Sequence, residues 1–263
     1  MLLLTRGEGV ALLCAAAAVL FVSPLLLTSA PFLSTYDDTD NFATNPILQD
    51  DFLFSWENLF AMATMRRISV YEPLGWLLKV SIVQCFGLNS WAIRVVTLVL
   101  HFAAGVVLVR VSALLIAINN LLSKISTQPN NKDSADTQPD VAAPSSKYFL
   151  GSCLSTLLFL MHPIHIEVIA WLFAQPYALA ALFANASLLF YLRKTHLALQ
   201  SSRNLDQGDQ KYDWLVAGFY LCSVLSKSVT VLLPAAFFFI DALVFVKLHL
   251  SVNIKTTIPQ ELL

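Results

Sequence analysis

The sequence predicts an all-α, polytopic membrane protein of about six transmembrane helices. Composition is the first reason, since 57% of the residues are hydrophobic and 13% are charged, whereas a soluble domain carries about 25% charged residues. Patterning is the second reason, because the charged residues gather in short segments that separate long apolar runs. The net charge of −1, without any basic stripe in the sequence, argues against a nucleic-acid partner.

Long apolar runs predict the membrane spans, because a helix needs about 20 apolar residues to cross a bilayer. The first run follows Arg6 and has the flanks of a signal peptide, but its length favours a retained anchor. The last run is long for one helix and short for two, and Lys227 with Pro234 favours a hairpin of two short spans. The predicted spans are 10–33, 92–118, 148–163, 171–192, 213–227 and 229–247.

Basic residues predict the orientation of these spans. Arg6 and the basic loop 193–212 are expected to be cytosolic by the positive-inside rule. The acidic loop 34–90, the turn 163–170 and the turn at Lys227 then share the opposite, lumenal face. The predicted organisation is a first span within 1–33, the lumenal loop 34–90, the remaining spans within 91–250 with cytosolic loops 119–147 and 193–212, and a tail 251–263.

Asp37 and Asp38 follow the first span directly and are the candidate catalytic residues. Two adjacent carboxylates at a membrane edge suit a general base or a divalent-cation ligand. The simpler interpretation is that they keep the end of the helix in water. The sequence chemistry alone leaves these alternatives open.

The turn from His162 to Glu167 holds two histidines and a carboxylate. His162, His165 and Glu167 have some potential as metal ligands, but Pro163 interrupts the helix between them, so their spacing does not place them on one face. We expect a polar turn that positions a neighbour or an anionic ligand, and no metal site.

Lys227 stands between two apolar runs, where a lysine must reach the interface or meet an anion such as a lipid phosphate. Arg66 and Arg67 end an amphipathic stretch that begins at Phe52, and residues 74–88 form a second one. Both stretches are predicted to be helices in the membrane surface with aromatic anchors, and simple anchoring is their plainest role.

Four blocks of the sequence resemble the transmembrane and tetratricopeptide-repeat O-mannosyltransferases and their bacterial relatives. The blocks occur in the order of that family and cover most of residues 34–241. They are Tyr36-Asp37-Asp38 with Asn45-Pro46, Tyr71-Glu72-Pro73-Leu74 through Phe86-Gly87-Leu88-Asn89 to His101, His162-Pro163-Ile164-His165-Ile166-Glu167 through Trp171, and Ser226-Lys227 through Leu233-Pro234 to Asp241.

The resemblance implies a GT-C type glycosyltransferase in the endoplasmic reticulum membrane. Its implied donor is the lipid-linked sugar dolichyl-phosphate mannose, and its implied acceptor is a Ser or Thr hydroxyl of a protein, with no cofactor or metal. The family's acidic base maps to Asp37 or Asp38, and the leaving phosphate requires nearby cations. The expected substrate-binding residues are Lys227 first, with Arg66, Arg67, His162, His165, Glu167 and Glu72.

The sequence also departs from the family. Glu72 stands where the family has His, and Ser228 stands where it has Pro. The family has more spans and a tetratricopeptide array, whereas this sequence shows no 34-residue repeat. We therefore expect a fragment or a divergent member that needs a partner for the missing spans. The alternatives are a non-catalytic membrane subunit and a small transporter that uses the carboxylates, Lys227 and Asp241.

Overall fold

The computed structural model describes residues 38–49, 54–66, 70–127, 146–200 and 210–257, and these residues form helices without a β-strand. The predicted span 10–33 lies outside the described residues. A π-helical turn spans Thr39–Ala43, and 3₁₀ helices span Leu172–Ala174 and Ser228–Leu232. The α-helices are α1 Pro46–Gln49, α2 Trp56–Thr64, α3 Pro73–Phe86, α4 Ser90–Thr127, α5 Ser146–Leu160, α6 Pro163–Ala170, α7 Gln175–Gln200, α8 Gln210–Ser226 and α9 Leu233–Thr257.

Three helices in the described part of the chain are long and apolar enough to cross a membrane. They span Ser90–Ile125, Leu172–Gln200 and Ser228–His249, which confirms long apolar helices at three of the predicted spans. The predicted spans 148–163 and 213–227 fall on α5 and α8, which have 15 and 17 residues. The count of six spans therefore stays a prediction.

Local side-chain chemistry explains where several helices begin and end. Ser55 caps α2 by accepting a hydrogen bond from the Asn58 amide over 3.2 Å. Asn89 caps α4 in the same way, accepting from the Trp91 amide over 3.0 Å. Gly87 ends α3 with a φ of 66°, a backbone conformation that glycine adopts without the steric penalty of a side chain. These caps place α3 and α4 on either side of a tight turn.

Hydrogen bonds between helices show that α4 and α7 run in the same direction. Near the beginnings of both, Arg94 Nε donates to the Ala170 carbonyl over 3.4 Å. Further along, Asn185 Nδ2 donates to the Ala104 carbonyl over 3.3 Å. The later residue of α4 contacts the later residue of α7, so the two helices are parallel and begin at the same end of the bundle.

The neighbouring helix α8 runs opposite to α7. Ser187 Oγ, late in α7, donates to the carbonyl of Val216, early in α8, over 2.9 Å. Ser223 Oγ, late in α8, donates to the carbonyl of Ala180, early in α7, over 2.8 Å. The end of α8 therefore lies beside the beginning of α7.

The last helix, α9, runs parallel to α4. Lys247, late in α9, donates to the side-chain oxygen of Asn119, late in α4. Because α9 follows Lys227 by a single 3₁₀ turn, its beginning stays near the end of α8. One end of the bundle thus gathers the beginnings of α4, α7 and α9 with the end of α8, and we call it the assembly end.

The segments before α4 pack onto the assembly end. The loop 38–49 and helices α2 and α3 share one apolar core with the beginning of α4 and the first 3₁₀ helix. Its buried members are Phe42, Ile47, Leu48, Met62, Trp76, Val80, Ile82, Val83, Ile93 and Leu172. The described residues before α4 therefore form a cap over one end of the membrane helices.

Helices α2 and α3 meet their surroundings differently. α2 exposes Trp56 (86%) and Phe60 (71%) while it buries Asn58, as a helix in a membrane surface requires. The structure differs from the prediction for α3, where the expected aromatic anchor Trp76 is 1% exposed and lies in the core. α3 is amphipathic because one face packs against protein.

Gly75 allows α3 to pack closely against α7 and α8. A Cβ at this position would lie 2.8 Å from Pro176 Cγ and 3.3 Å from the Ser226 carbonyl oxygen, and neither the proline ring nor the backbone can yield easily. We expect Gly75→Ala to lower the free energy of unfolding by about 1–3 kcal/mol through overpacking. Thermal unfolding of the detergent-solubilised chain measures this loss.

Gly218→Ala in α8 is the matched control, because a Cβ there meets nothing within 4 Å. It should leave the unfolding temperature unchanged or slightly raised. Equal unfolding temperatures for the two variants would contradict the close approach of α3.

Candidate functional site: a buried carboxylate shared by two lysines

Glu72 stands at the centre of a buried cluster of charges. One carboxylate oxygen, Oε1, accepts from Lys79 Nζ over 2.9 Å, and the other, Oε2, accepts from Lys227 Nζ over 2.7 Å. We call Glu72, Lys79 and Lys227 the charge triad. The triad joins two segments that are 155 residues apart in the chain.

Helix geometry explains how the triad forms. Glu72 immediately precedes α3, and Pro73 occupies the first helical position, where its missing N–H is of no consequence. Lys79 follows Glu72 by seven residues, or two turns, and so lies on the same face of α3. Lys227 has extended backbone between α8 and the second 3₁₀ helix, which directs it toward α3.

The triad is almost completely removed from solvent. The exposed fractions of Glu72, Lys79 and Lys227 are 1%, 0% and 4%. Removing charges from water is expensive unless they are paired and hydrogen-bonded. The Glu72 carboxylate is shared between two ammonium groups, and Lys79 has a further interaction outside the triad.

Aromatic rings surround the two lysines. Lys79 Nζ lies 4.0 Å from the ring centroids of both Trp76 and Phe173. Lys227 Nζ lies 5.0 Å from the centroid of Phe173 and 4.8 Å from that of Tyr177. The faces of aromatic rings attract cations, and this attraction is stronger where water is excluded. Phe173 thus contacts both ammonium groups.

A second buried pair of charges lies on the same side of the bundle. Asp38 is 1% exposed and Arg94 is 6% exposed, and the two side chains interact electrostatically. Arg94 Nε also donates to the Ala170 carbonyl, three residues before Phe173. The segment from Ala170 to Phe173 therefore connects this pair with the charge triad.

The structure brings some of the predicted site residues together and leaves others apart. Glu72 and Lys227 are in direct contact, and the anion that Lys227 meets is Glu72. Arg66 is exposed and lines a separate pocket of about 440 Å³ with Ala63, Thr64 and Tyr71. His162 and Glu167 are exposed. Asp37, Arg67 and the side chain of His165 lie outside the described part of the structure.

Several residues of the site were not foreseen from the sequence. Lys79 counts in the sequence as one of the few basic residues of an acidic loop, although its spacing from Glu72 signals a shared helix face. Arg94 looks like the flank of a span, and nothing local marks Phe173. Among the described residues, no three His, Cys, Asp or Glu side chains converge to hold a metal ion.

The charge of the triad predicts an asymmetric response to mutation. Glu72→Gln removes the carboxylate that two buried lysines share, whereas Lys227→Met leaves Glu72 paired with Lys79. We expect Glu72→Gln to cost about 3–5 kcal/mol of folding free energy and Lys227→Met to cost less. Unfolding of the purified variants in detergent measures both.

The double variant tests whether the two lysines repel each other once Glu72 is neutral. Adding Lys227→Met to Glu72→Gln removes one of the two repelling charges, so the double variant should be more stable than Glu72→Gln alone. A Lys227→Met chain less stable than Glu72→Gln, or an additive double variant, would show that Glu72 does not hold both lysines.

Comparison with known proteins gave no relative, since no protein-family model, curated protein or solved structure matches the chain. A function must therefore be argued from the charge triad, the buried Asp38–Arg94 pair and the helices that hold them.

Proposed function

We propose that the chain is a membrane glycosyltransferase, or the N-terminal part of one, that transfers mannose from dolichyl-phosphate mannose to Ser or Thr hydroxyls of proteins. The observation that carries the proposal is the buried contact of Glu72 with both Lys79 and Lys227. The resemblance of the four sequence blocks supports it, because Glu72 and Lys227 belong to two different blocks and are in contact.

The triad suits the departure of a phosphate. When the bond between the sugar and the lipid phosphate breaks, negative charge develops on the phosphate oxygens. A fixed cation in a site without water stabilises that charge far more than it would in solution. Lys227 is the least buried of the three residues and lies at a turn between helices, so it is the one we assign to the phosphate.

Asp37 and Asp38 are the candidates for accepting a proton in the proposed reaction. An acceptor hydroxyl must lose a proton as it attacks the sugar, and a carboxylate can accept it at neutral pH. The Asp38 carboxylate is buried beside Arg94, so its role is to fix the loop. We assign the general base to its neighbour Asp37.

We place this site on the lumenal face of the endoplasmic reticulum membrane. The assembly end gathers the turn at Lys227, the end of the turn 163–170 and described parts of the loop 34–90, which the positive-inside rule assigns to that face. A lipid-linked donor would reach such a site from the membrane, and the acceptor protein would reach it from the lumen.

A second candidate is a membrane subunit that contributes the triad to a larger assembly. It is favoured by α9, because none of the most apolar window of Ser228–His249 is buried within the described part of the chain. Such a subunit would copurify with a larger enzyme and would transfer no sugar when purified alone.

Substitutions of Asp37 and Asp38 test the proposed enzyme activity directly. The full chain is reconstituted in vesicles with radiolabelled dolichyl-phosphate mannose and an acceptor peptide rich in Ser and Thr. Asp37→Asn should lower the transfer rate by about 10²- to 10⁴-fold, as expected for loss of a general base, while donor binding persists. Asp38→Asn should lower both the transfer rate and the unfolding temperature.

Asp40→Asn is the control, because Asp40 is an exposed acid of the same loop that accepts from the Thr44 hydroxyl over 3.5 Å. It should transfer mannose at the rate of the unmodified chain. Full transfer by both the Asp37 and the Asp38 variants would overturn the proposal, and no transfer by any chain would favour the subunit.

A further inference from the structure

Asp241 is an acidic residue within the most apolar of the three long helices of the described chain. It is the 14th of the 22 residues from Ser228 to His249, which places it near the middle of that span. Its side chain is exposed rather than packed inside the protein. A carboxylate at this depth faces hydrocarbon, and ionisable residues inside a membrane span are rare and point to a function.

The chain itself provides little compensation for the Asp241 carboxylate. The Tyr191 hydroxyl donates a hydrogen bond to Asp241 and also reaches the Phe237 carbonyl over 3.2 Å, so its single proton is divided between two acceptors. Among the described residues, no lysine or arginine forms an ion pair with Asp241. The carboxylate therefore keeps its charge and most of its capacity to accept hydrogen bonds.

Two phenylalanines flank Asp241 on the outward side of α9. Phe238 precedes it by three residues and Phe245 follows it by four, so all three lie on one side of the helix. The two phenylalanines are 69% and 68% exposed, whereas the neighbouring side of α9 packs against α4 through Ile240 and Val244. We call Phe238, Asp241 and Phe245 the Asp241 face.

The chemistry of the Asp241 face specifies what would cover it. A carboxylate requires a cation, and aromatic rings beside it favour an ammonium or guanidinium group. The hydrocarbon core holds neither water nor lipid headgroups, so the cation at this depth must be a side chain of another membrane helix. A second copy of α9 is a poor occupant, because it would bring two Asp241 carboxylates together and like charges repel.

We infer that the Asp241 face binds a transmembrane helix of a partner protein that carries a Lys or Arg near the middle of the bilayer. The basic group pairs with the Asp241 carboxylate and lies against the rings of Phe238 and Phe245. The partner helix then separates the carboxylate from lipid. This inference goes beyond the proposed function, since it holds whether or not the chain transfers a sugar.

Two synthetic transmembrane helices serve as probes for this face. Each consists of about 22 leucine and alanine residues with identical ends, and the central residue is Lys in one and Met in the other. The full chain is reconstituted in phosphatidylcholine vesicles, and energy transfer from its tryptophans to a dansyl group on the probe measures binding. Asp241 lies within about 4 Å of the middle of its span, so a central lysine reaches it in either orientation of the probe.

The charge of Asp241 should determine which probe binds. We expect the Lys probe to bind the unmodified chain at least about fivefold more tightly than the Met probe. Asp241→Asn keeps the shape of the side chain but removes its charge, so the two probes should then bind equally. Asp213→Asn is the matched control, because Asp213 is an exposed aspartate of α8 that pairs with Lys194 over 2.6 Å. It should keep the full preference for the Lys probe.

A pair of phenylalanine variants tests the Asp241 face without altering its charge. Phe238→Leu keeps an apolar side chain but removes the ring beside Asp241, and it should lower the preference for the Lys probe about twofold or more. Phe239→Leu is its control, because Phe239 is 64% exposed but lies on another side of the helix, two residues from Asp241. This pair decides the question even if Asp241→Asn does not fold.

Equal binding of the two probes to the unmodified chain would overturn the inference, as would a preference for the Lys probe that survives Asp241→Asn. Chemical cross-linking in the same vesicles measures self-association of the chain. If the chain self-associates through Asp241 and shows no preference for the Lys probe, a second copy occupies the face and the inference is rejected. Absence of mannose transfer would count against the proposed function alone.

Discussion

A single carboxylate shared by two buried lysines holds the described part of this protein together. Glu72 lies at the start of α3, Lys79 lies two turns further on, and Lys227 follows α8. A lysine between apolar helices is costly without an anion, and Glu72 supplies that anion from a segment outside the long helices. The ion pair fixes α3 against α8, and Gly75 allows the two backbones to approach.

The position of α3 determines the surroundings of the assembly end. Trp76 of α3 lies beside Lys79 of the triad, and the segment 38–49 packs against α3 through Phe42, which is completely buried. Arg94 ties the same loop to the segment that carries Phe173. The cap and the membrane helices therefore form one packed unit, in which charges from three distant segments share a region without water.

The sequence predicts the helices better than it predicts their partners. Apolar runs locate three long helices, because span length is a local property of the chain. The need of Lys227 for an anion is also local, but the identity of that anion depends on a contact with Glu72 across 155 residues. Trp76 shows the same limit, since an amphipathic stretch has the same pattern whether its apolar face meets lipid or protein. The spacing of Lys79 from Glu72 predicts a shared helix face, but the burial of that face depends on tertiary packing, which the local sequence does not show.

The second lysine distinguishes the charge triad from a simple ion pair. One lysine and one carboxylate would suffice to fasten α3 to α8, and an apolar residue at Lys79 would avoid the desolvation of a second ammonium group. The chain instead buries Lys79 completely and lines it with aromatic rings. Glu72 is thus held at the start of α3 by Lys79 as well as by Lys227, so its position does not depend on the contact between α3 and α8 alone.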